Sequence, residues 1–122
     1  MSGPPALQQQ QAPKLVQWSK EAVQYYEDST LVLSCSSAVS AAGPLRFTWL
    51  KSGKPVAQQV AAAAAAADRH NNNDRLSIET LAEYSFLRLA NLRPTDSGQY
   101  TCVASNVFGQ EDRTSAQIVV NG

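Results

Sequence analysis

The stretch Asp96-Ser-Gly-Gln-Tyr-Thr-Cys102, near the end of the 122-residue chain, decides the fold. Because side chains alternate between the two faces of a strand, Tyr100 and Cys102 are expected to share one face. The only other cysteine, Cys35, ends a run of alternating apolar residues, and Trp49 follows it by 14 residues. From the cysteine count alone, this pair forms either one disulfide or two buried thiols.

The rest of the chain contains short segments in which apolar and polar residues alternate, as in half-buried strands. Besides two short N-terminal segments, the predicted strands are Thr30–Ser36, Leu45–Lys51, Asp74–Thr80, Glu83–Leu89, Gly98–Ala104 and Arg113–Val120. Glycine- and proline-containing turn signals, such as Ala41-Ala-Gly-Pro44 and Ser52-Gly-Lys-Pro55, lie between them. Seven or eight short strands separated by turns predict an antiparallel β-sandwich.

Cys35, Trp49 and the segment ending at Cys102, with its continuation to Gly109, resemble the immunoglobulin superfamily and its I-set branch. The resemblance implies an all-β, immunoglobulin-like antiparallel sandwich with Greek key topology. It also implies that a disulfide between Cys35 and Cys102 bridges the two sheets. Closing this loop of 67 residues stabilises the fold by about 4 kcal/mol through the unfolded state.

The resemblance also assigns structural roles to individual residues. Trp49 is expected to pack on the disulfide, and Tyr100 to send its hydroxyl to the backbone of the preceding corner. Leu89 and Asp96 complete the core signature, and an ion pair is expected between Arg75 and Asp96. These roles specify a fold and no chemistry.

Composition shifts divide the chain into a domain and its connections. Residues 1–13, which are polar and contain proline and a glutamine run, are expected to be a flexible arm. Residues 14–120 form the predicted I-set domain, and residues 121–122 begin a linker to the next domain. Within the domain, residues 58–73 are a low-complexity loop between the sheets, with seven consecutive alanines. The N-terminus lacks the features of a signal peptide, so we expect a fragment of a larger protein.

Charge and residue types exclude several classes of function. Ten basic and ten acidic side chains balance, so no nucleic-acid-binding face is expected. No run of about 20 apolar residues is present, so this fragment is not expected to insert into a membrane. Two cysteines and the single histidine, His70, are too few to ligate a structural zinc ion. His70 lies in the low-complexity loop, where a catalytic base would be poorly positioned, so we expect neither an enzyme nor a cofactor.

Three surfaces are candidates for binding a protein partner. One lies near the edge strands, where Trp18, Tyr25 and Tyr26 are expected either at an interface or, in part, tucked into the core.

The other two candidate surfaces consist of apolar residues. The predicted hairpin tip presents Val107 and Phe108, which either anchor a partner or pack against loops of the same domain. Leu50, Val103 and Val119 point away from the core by alternation and form either an apolar patch or ordinary scattered surface residues.

The resemblance therefore predicts a recognition or adhesion module of an extracellular or cell-surface receptor, of the neural adhesion or guidance type. Its expected partners are a protein, bound homophilically or heterophilically, and neighbouring immunoglobulin-like domains. The signal and transmembrane segments of the parent protein are expected outside this fragment. One alternative is an intracellular spacer domain with reduced thiols in a titin-like muscle protein, and another is a spacer within a receptor. The intact cysteine pair favours an extracellular location.

Overall fold

The computed structural model describes residues 12–39, 44–56 and 75–122. The predicted loop at 58–73, with His70, lies outside them. The described residues form eight strands and one short 3-10 helix at Pro94–Asp96. The strands are β1 (Val23–Tyr26), β2 (Leu31–Ser36), β3 (Arg46–Lys51), β4 (Lys54–Pro55), β5 (Leu76–Thr80), β6 (Tyr84–Leu89), β7 (Gly98–Ser105) and β8 (Glu111–Asn121).

The strands form two facing sheets, one in the order β1-β8-β7-β3-β4 and the other in the order β2-β6-β5. The alternating sequence explains which faces meet. In β2 and β6 every second side chain is buried, namely Leu31, Leu33 and Cys35 opposite Leu89, Leu87 and Ser85. The predicted all-β sandwich is confirmed.

One disulfide connects the two sheets through the middle of the core. It joins Cys35 of β2 to Cys102 of β7, with a Cα–Cα distance of 6.4 Å, and both residues are fully buried. Trp49 of β3 lies directly opposite Cys102 and belongs to the same buried cluster, as do Leu89 and Tyr100. The structure therefore selects the disulfide over two buried thiols.

The first strand departs from a purely antiparallel arrangement, because β1 pairs with β8 in parallel. Upstream of β1, Leu15 bridges to Ser37 beside the end of β2, and the Val16 N–H donates to the Ser36 carbonyl at 3.0 Å. The chain then crosses to the other sheet while continuing towards the opposite end of the sandwich. Since β8 runs in that direction too, the two strands are parallel.

The folded unit is slightly longer than the expected domain of residues 14–120. Pro13 is buried. Asn121 lies within β8, opposite Tyr26, and its carbonyl accepts the Glu27 N–H at 2.8 Å. Both residues belong to the fold rather than to flexible connections.

The sandwich has two ends, which we call the tip pole and the corner pole. The tip pole holds the entering segment at Lys14, the end of β2, the β5–β6 turn and the β7–β8 hairpin loop at 106–110. The corner pole holds the turn at 27–30, the 3-10 helix and the end of β8. The chain thus enters the domain at the tip pole and leaves β8 at the corner pole.

Candidate functional site

The β7–β8 hairpin loop at the tip pole is held by one buried side chain, Asn106, which is only 8% exposed. Its Oδ1 accepts the backbone N–H groups of Phe108 and Gln110, both at 3.0 Å, and its Nδ2 donates to Gln110 Oε1 at 2.8 Å. Gly109 has a φ of 83°, as expected for a turn that favours glycine. Because the side chain replaces the missing strand partners, the loop has a defined backbone.

The same loop directs two apolar side chains into solvent. Val107 is 71% exposed and Phe108 is 51% exposed. The structure thus places them at the surface rather than packed against the domain's own loops. Beside them, Pro44, Leu45 and Arg46 help to line an open cleft of about 630 Å³. We call Val107 and Phe108 the apolar tip.

The flat outer face of the five-stranded sheet differs from the expected apolar patch. Leu50, Val103 and Val119 point away from the core, but Val103 is only 8% exposed and the other two are half-buried. Val103 lies in the middle strand of the sheet, directly between Thr48 and Arg113 on the neighbouring strands. The interpretation of Val103 as a surface residue is therefore wrong, because cross-strand neighbours cover it.

At the corner pole, polar groups are buried and bonded to one another. Arg75, 5% exposed, forms an ion pair with Asp96 Oδ2, which also accepts the Arg93 N–H at 2.8 Å. Arg75 Nε donates to the Ala90 carbonyl at 3.1 Å. The Tyr100 hydroxyl donates to the Asp96 backbone carbonyl at 2.6 Å. The arrangement connects Arg75, which precedes β5, to the 3-10 helix and β7.

Burial sets the ionisation behaviour of this corner. Loss of solvation raises the pKa of the Tyr100 phenol well above its ordinary value, and the nearby Asp96 carboxylate adds to the effect while Arg75 opposes it. Loss of solvation also lowers the pKa of the Lys51 ammonium, partly offset by Asp96. Lys51 Nζ donates to the Thr95 carbonyl at 2.7 Å. The hydrogen bonds from Lys51 to Thr95 and from Tyr100 to Asp96 connect strands β3 and β7 to the 3-10 helix.

Three residues have structural roles that the sequence alone did not assign to them. Ser85 is fully buried, and its hydroxyl accepts the indole N–H of Trp49 at 2.9 Å. Trp18 stacks on Trp49 with ring centroids 5.8 Å apart. Asn106 is the third, and its position just before Val-Phe-Gly was the available signal, since asparagine favours local hydrogen bonds to backbone in turns.

The described residues offer no site for metal chemistry, because no three histidine, cysteine or carboxylate side chains among them come together. Nothing helical in the same ranges combines the length and apolarity that crossing a bilayer requires. What the surface offers is an exposed apolar tip on a loop that is hydrogen-bonded by Asn106, which is suited to contact with another protein.

Comparison with known proteins shows which domain family and fold this chain resembles. The family model described as immunoglobulin domain matches residues 12–106. Hemicentin-1 of Mus musculus is 36% identical over 75% of this chain, and leucine-rich repeats and immunoglobulin-like domains protein 3 of Mus musculus is 30% identical over 76%. The chain spans only 1% and 8% of these relatives.

Solved structures share the fold at lower sequence identity. A chimeric titin Z1Z2 carrying an exogenous peptide from decorin gives a TM-score of 0.68 at 19% identity, covering 91% of this chain and 95% of that one. The N-terminal Ig1-2 module of the Drosophila receptor protein tyrosine phosphatase DLAR gives 0.64 at 18% identity, covering 91% of this chain and 50% of that one. At these identities the likeness concerns the fold alone.

Proposed function

Since the chain belongs to the immunoglobulin domain family, whose model matches residues 12–106, we propose that it is a protein-recognition module of a larger extracellular or cell-surface protein. The observation that carries this proposal is the apolar tip, with Val107 71% and Phe108 51% exposed on a loop fixed by buried Asn106. A rigid apolar anchor loses little conformational entropy when it is buried by a partner. The proposed role is binding without catalysis.

Two kinds of partner fit the tip. The chain enters the sandwich at the tip pole, so a preceding immunoglobulin-like domain of the same polypeptide would lie near Val107 and Phe108. A separate protein, either another copy or a different receptor, could cover the same side chains. The second mouse relative is, by its name, a protein that combines leucine-rich repeats with immunoglobulin-like domains, which supports a multidomain parent.

The extracellular part of the proposal rests on the bond between Cys35 and Cys102. Disulfides persist in oxidising compartments and are rare in the cytosol, where thiols are kept reduced. Adhesion or guidance in the nervous system is the specific role that we propose for the parent protein.

A cross-linking experiment tests the contact. A photoreactive phenylalanine analogue replaces Phe108 in the full-length parent protein on its native cells, and replaces exposed Val32 of β2 as the matched control. We expect cross-linked product from position 108 and none from position 32. A product within the same polypeptide would identify a domain joint, and one with a second chain would identify the recognised partner. Absence of any product at position 108 would refute the tip as a contact.

Counting thiols in the protein from its native tissue, resolved by peptide, tests the location. We expect Cys35 and Cys102 to be oxidised to each other. Two free thiols would contradict the extracellular assignment and favour an intracellular structural spacer.

A further inference from the structure

The outer edge of β8 is covered at its end but open in its middle. On one side, β8 pairs with β7 from Glu111 to Ile118. On the other side, β1 pairs only with Ile118–Asn121. Among the described residues, no backbone strand pairs with residues 113–117 on this second side.

The segment before β1 reaches this part of β8 only indirectly. The Trp18 N–H donates to the Thr114 side-chain hydroxyl at 2.9 Å rather than to a backbone carbonyl. Gln17 Nε2 donates to the Arg113 carbonyl at 3.3 Å. These contacts hold the segment beside β8 without completing the backbone ladder.

Trp18 explains why the segment stands away from β8. Its ring stacks on Trp49 at 5.8 Å and its indole N–H donates to the Ser34 carbonyl of the opposite sheet at 2.8 Å. The side chain thus turns inward between the sheets. Pairing with β8 begins only at Val23, and the gap between these two points is a cleft of about 460 Å³. We call this cleft the edge notch.

Backbone groups in the edge notch point outward. The Arg113 carbonyl accepts from Gln17 and the Asn121 carbonyl accepts from Glu27, both on the side away from β7. Alternate residues of a strand direct their N–H and C=O groups to the same edge. Ser115 follows Arg113 by two residues in this alternation and therefore presents its N–H and C=O to the notch.

The notch also has a positive charge. Lys20 and Arg113 line it, and the described lining contains no carboxylate. Arg113 contacts Glu111 at 3.8 Å, but both side chains are more than half exposed, so solvent weakens that contact. Residues 113–117 span about 13 Å, which is the length of four to five extended residues.

We propose that the edge notch binds a short extended acidic segment of a protein partner, which adds as a strand beside Ser115. Backbone hydrogen bonds to Ser115 would provide the pairing, as in strand addition to other exposed sheet edges. Lys20 and Arg113 would select acidic side chains on that segment. This site lies along the sheet edge and does not depend on the apolar tip.

Nuclear magnetic resonance of the isotope-labelled 122-residue chain tests the site with two defined probes. The first is a short acetylated and amidated peptide in which glutamate alternates with valine, and the second replaces each glutamate by lysine. We expect the acidic peptide to shift the amide signals of Arg113, Ser115 and Gln117 and to slow hydrogen exchange at Ser115. The lysine peptide should leave them unchanged.

Two substitutions at one position separate backbone pairing from side-chain effects. Ser115→Pro removes the N–H that faces the notch, a place where an edge strand tolerates proline. Ser115→Ala keeps that N–H, and both variants lose the hydroxyl contact to Thr101 Oγ1 at 2.8 Å. We expect Ser115→Pro to lose peptide binding at least tenfold and Ser115→Ala to retain it.

The charge of the edge notch and the identity of its occupant are tested by separate measurements, which remain decisive if the proline variant does not fold. Lys20→Glu and Arg113→Glu should each weaken binding of the acidic peptide about two- to fivefold at low salt. The proposal would be overturned if both peptides shift the amide signals equally, or if neither shifts them at millimolar concentration. It would also be overturned if both charge variants bind the acidic peptide with unchanged affinity. Amide shifts at Ser115 that follow protein concentration without peptide would identify a second copy as the occupant, and would also overturn it.

Discussion

The two poles of the sandwich each contain a buried polar residue, Asp96 at the corner pole and Asn106 at the tip pole. Both side chains accept hydrogen bonds from neighbouring backbone N–H groups, but their structural roles differ. Asp96 joins a buried ion pair and closes the corner. Asn106 fixes a loop that leaves Val107 and Phe108 in solvent. The same local hydrogen bonding therefore either closes a core or supports an exposed surface, depending on whether the loop leaves apolar side chains in solvent.

The largest effect on stability is expected from Asp96→Ala, which would break the corner. Removing the carboxylate leaves Arg75 buried without its charged partner, so the free energy of unfolding should fall by about 3–5 kcal/mol. Urea unfolding measures the change. Exposed Glu27→Ala at the same pole is the control and should change stability by about 0.5 kcal/mol or less. Similar losses in both variants would show that Asp96 is not the centre of the corner.

Asn106→Ala should have an intermediate effect on stability, because it removes the side chain that holds the loop carrying the apolar tip. Two backbone N–H groups and Gln110 lose their partner, so we expect a loss of about 2 kcal/mol. The tip should also become mobile, which hydrogen exchange at Phe108 reports. Exposed Gln110→Ala removes only one of these side-chain bonds and should cost less than about 1 kcal/mol. A tip that stays protected in Asn106→Ala would contradict the proposed frame.

Tyr100→Phe should have a smaller effect on stability, because it removes one hydroxyl at the corner pole and keeps the ring. Loss of the bond to the Asp96 carbonyl should cost about 1 kcal/mol at neutral pH. The raised pKa of Tyr100 means that the native state favours the neutral phenol, so the stability it confers is complete below about pH 10, the ordinary tyrosine value, and declines above it. Denaturant titrations across this range should show that the free energy of unfolding falls less steeply with rising pH in Tyr100→Phe than in the original protein. If the free energy of unfolding falls equally in both proteins, the alkaline loss of stability does not come from Tyr100.

Val107→Ser combined with Phe108→Ser should affect stability least, by about 0.5 kcal/mol or less, because both side chains are already exposed. Binding of the partner that cross-links at position 108 should instead fall at least tenfold, as for an interface anchor. Val32→Ser, on the other sheet, is the matched control and should bind normally. If the tip variant binds the partner as strongly as the original protein, the apolar tip is not the binding anchor, and the spacer interpretation of the domain is favoured.

Residue order was sufficient to predict the sandwich and the buried faces of its strands. Alternation is a local property of each strand, so the faces of β2 and β6 followed from residue order. The Cys35–Cys102 bond and the packing of Trp49 were instead implied by the resemblance to the immunoglobulin superfamily, since the cysteine count left two buried thiols open. The short strand β4 was instead expected as part of a turn, because two residues with a proline give no alternating pattern.

Which outward-facing residues are accessible depends on contacts between strands that are distant in sequence. Val103 points outward but is covered by neighbours on β3 and β8, whereas Val107 lies beyond the end of its strand and is not. The parallel pairing of β1, the inward turn of Trp18 and the resulting edge notch depend on where distant segments meet. The physical reason is that residue order fixes the direction of a side chain within its own strand, while exposure and unpaired edges depend on strands far away in sequence.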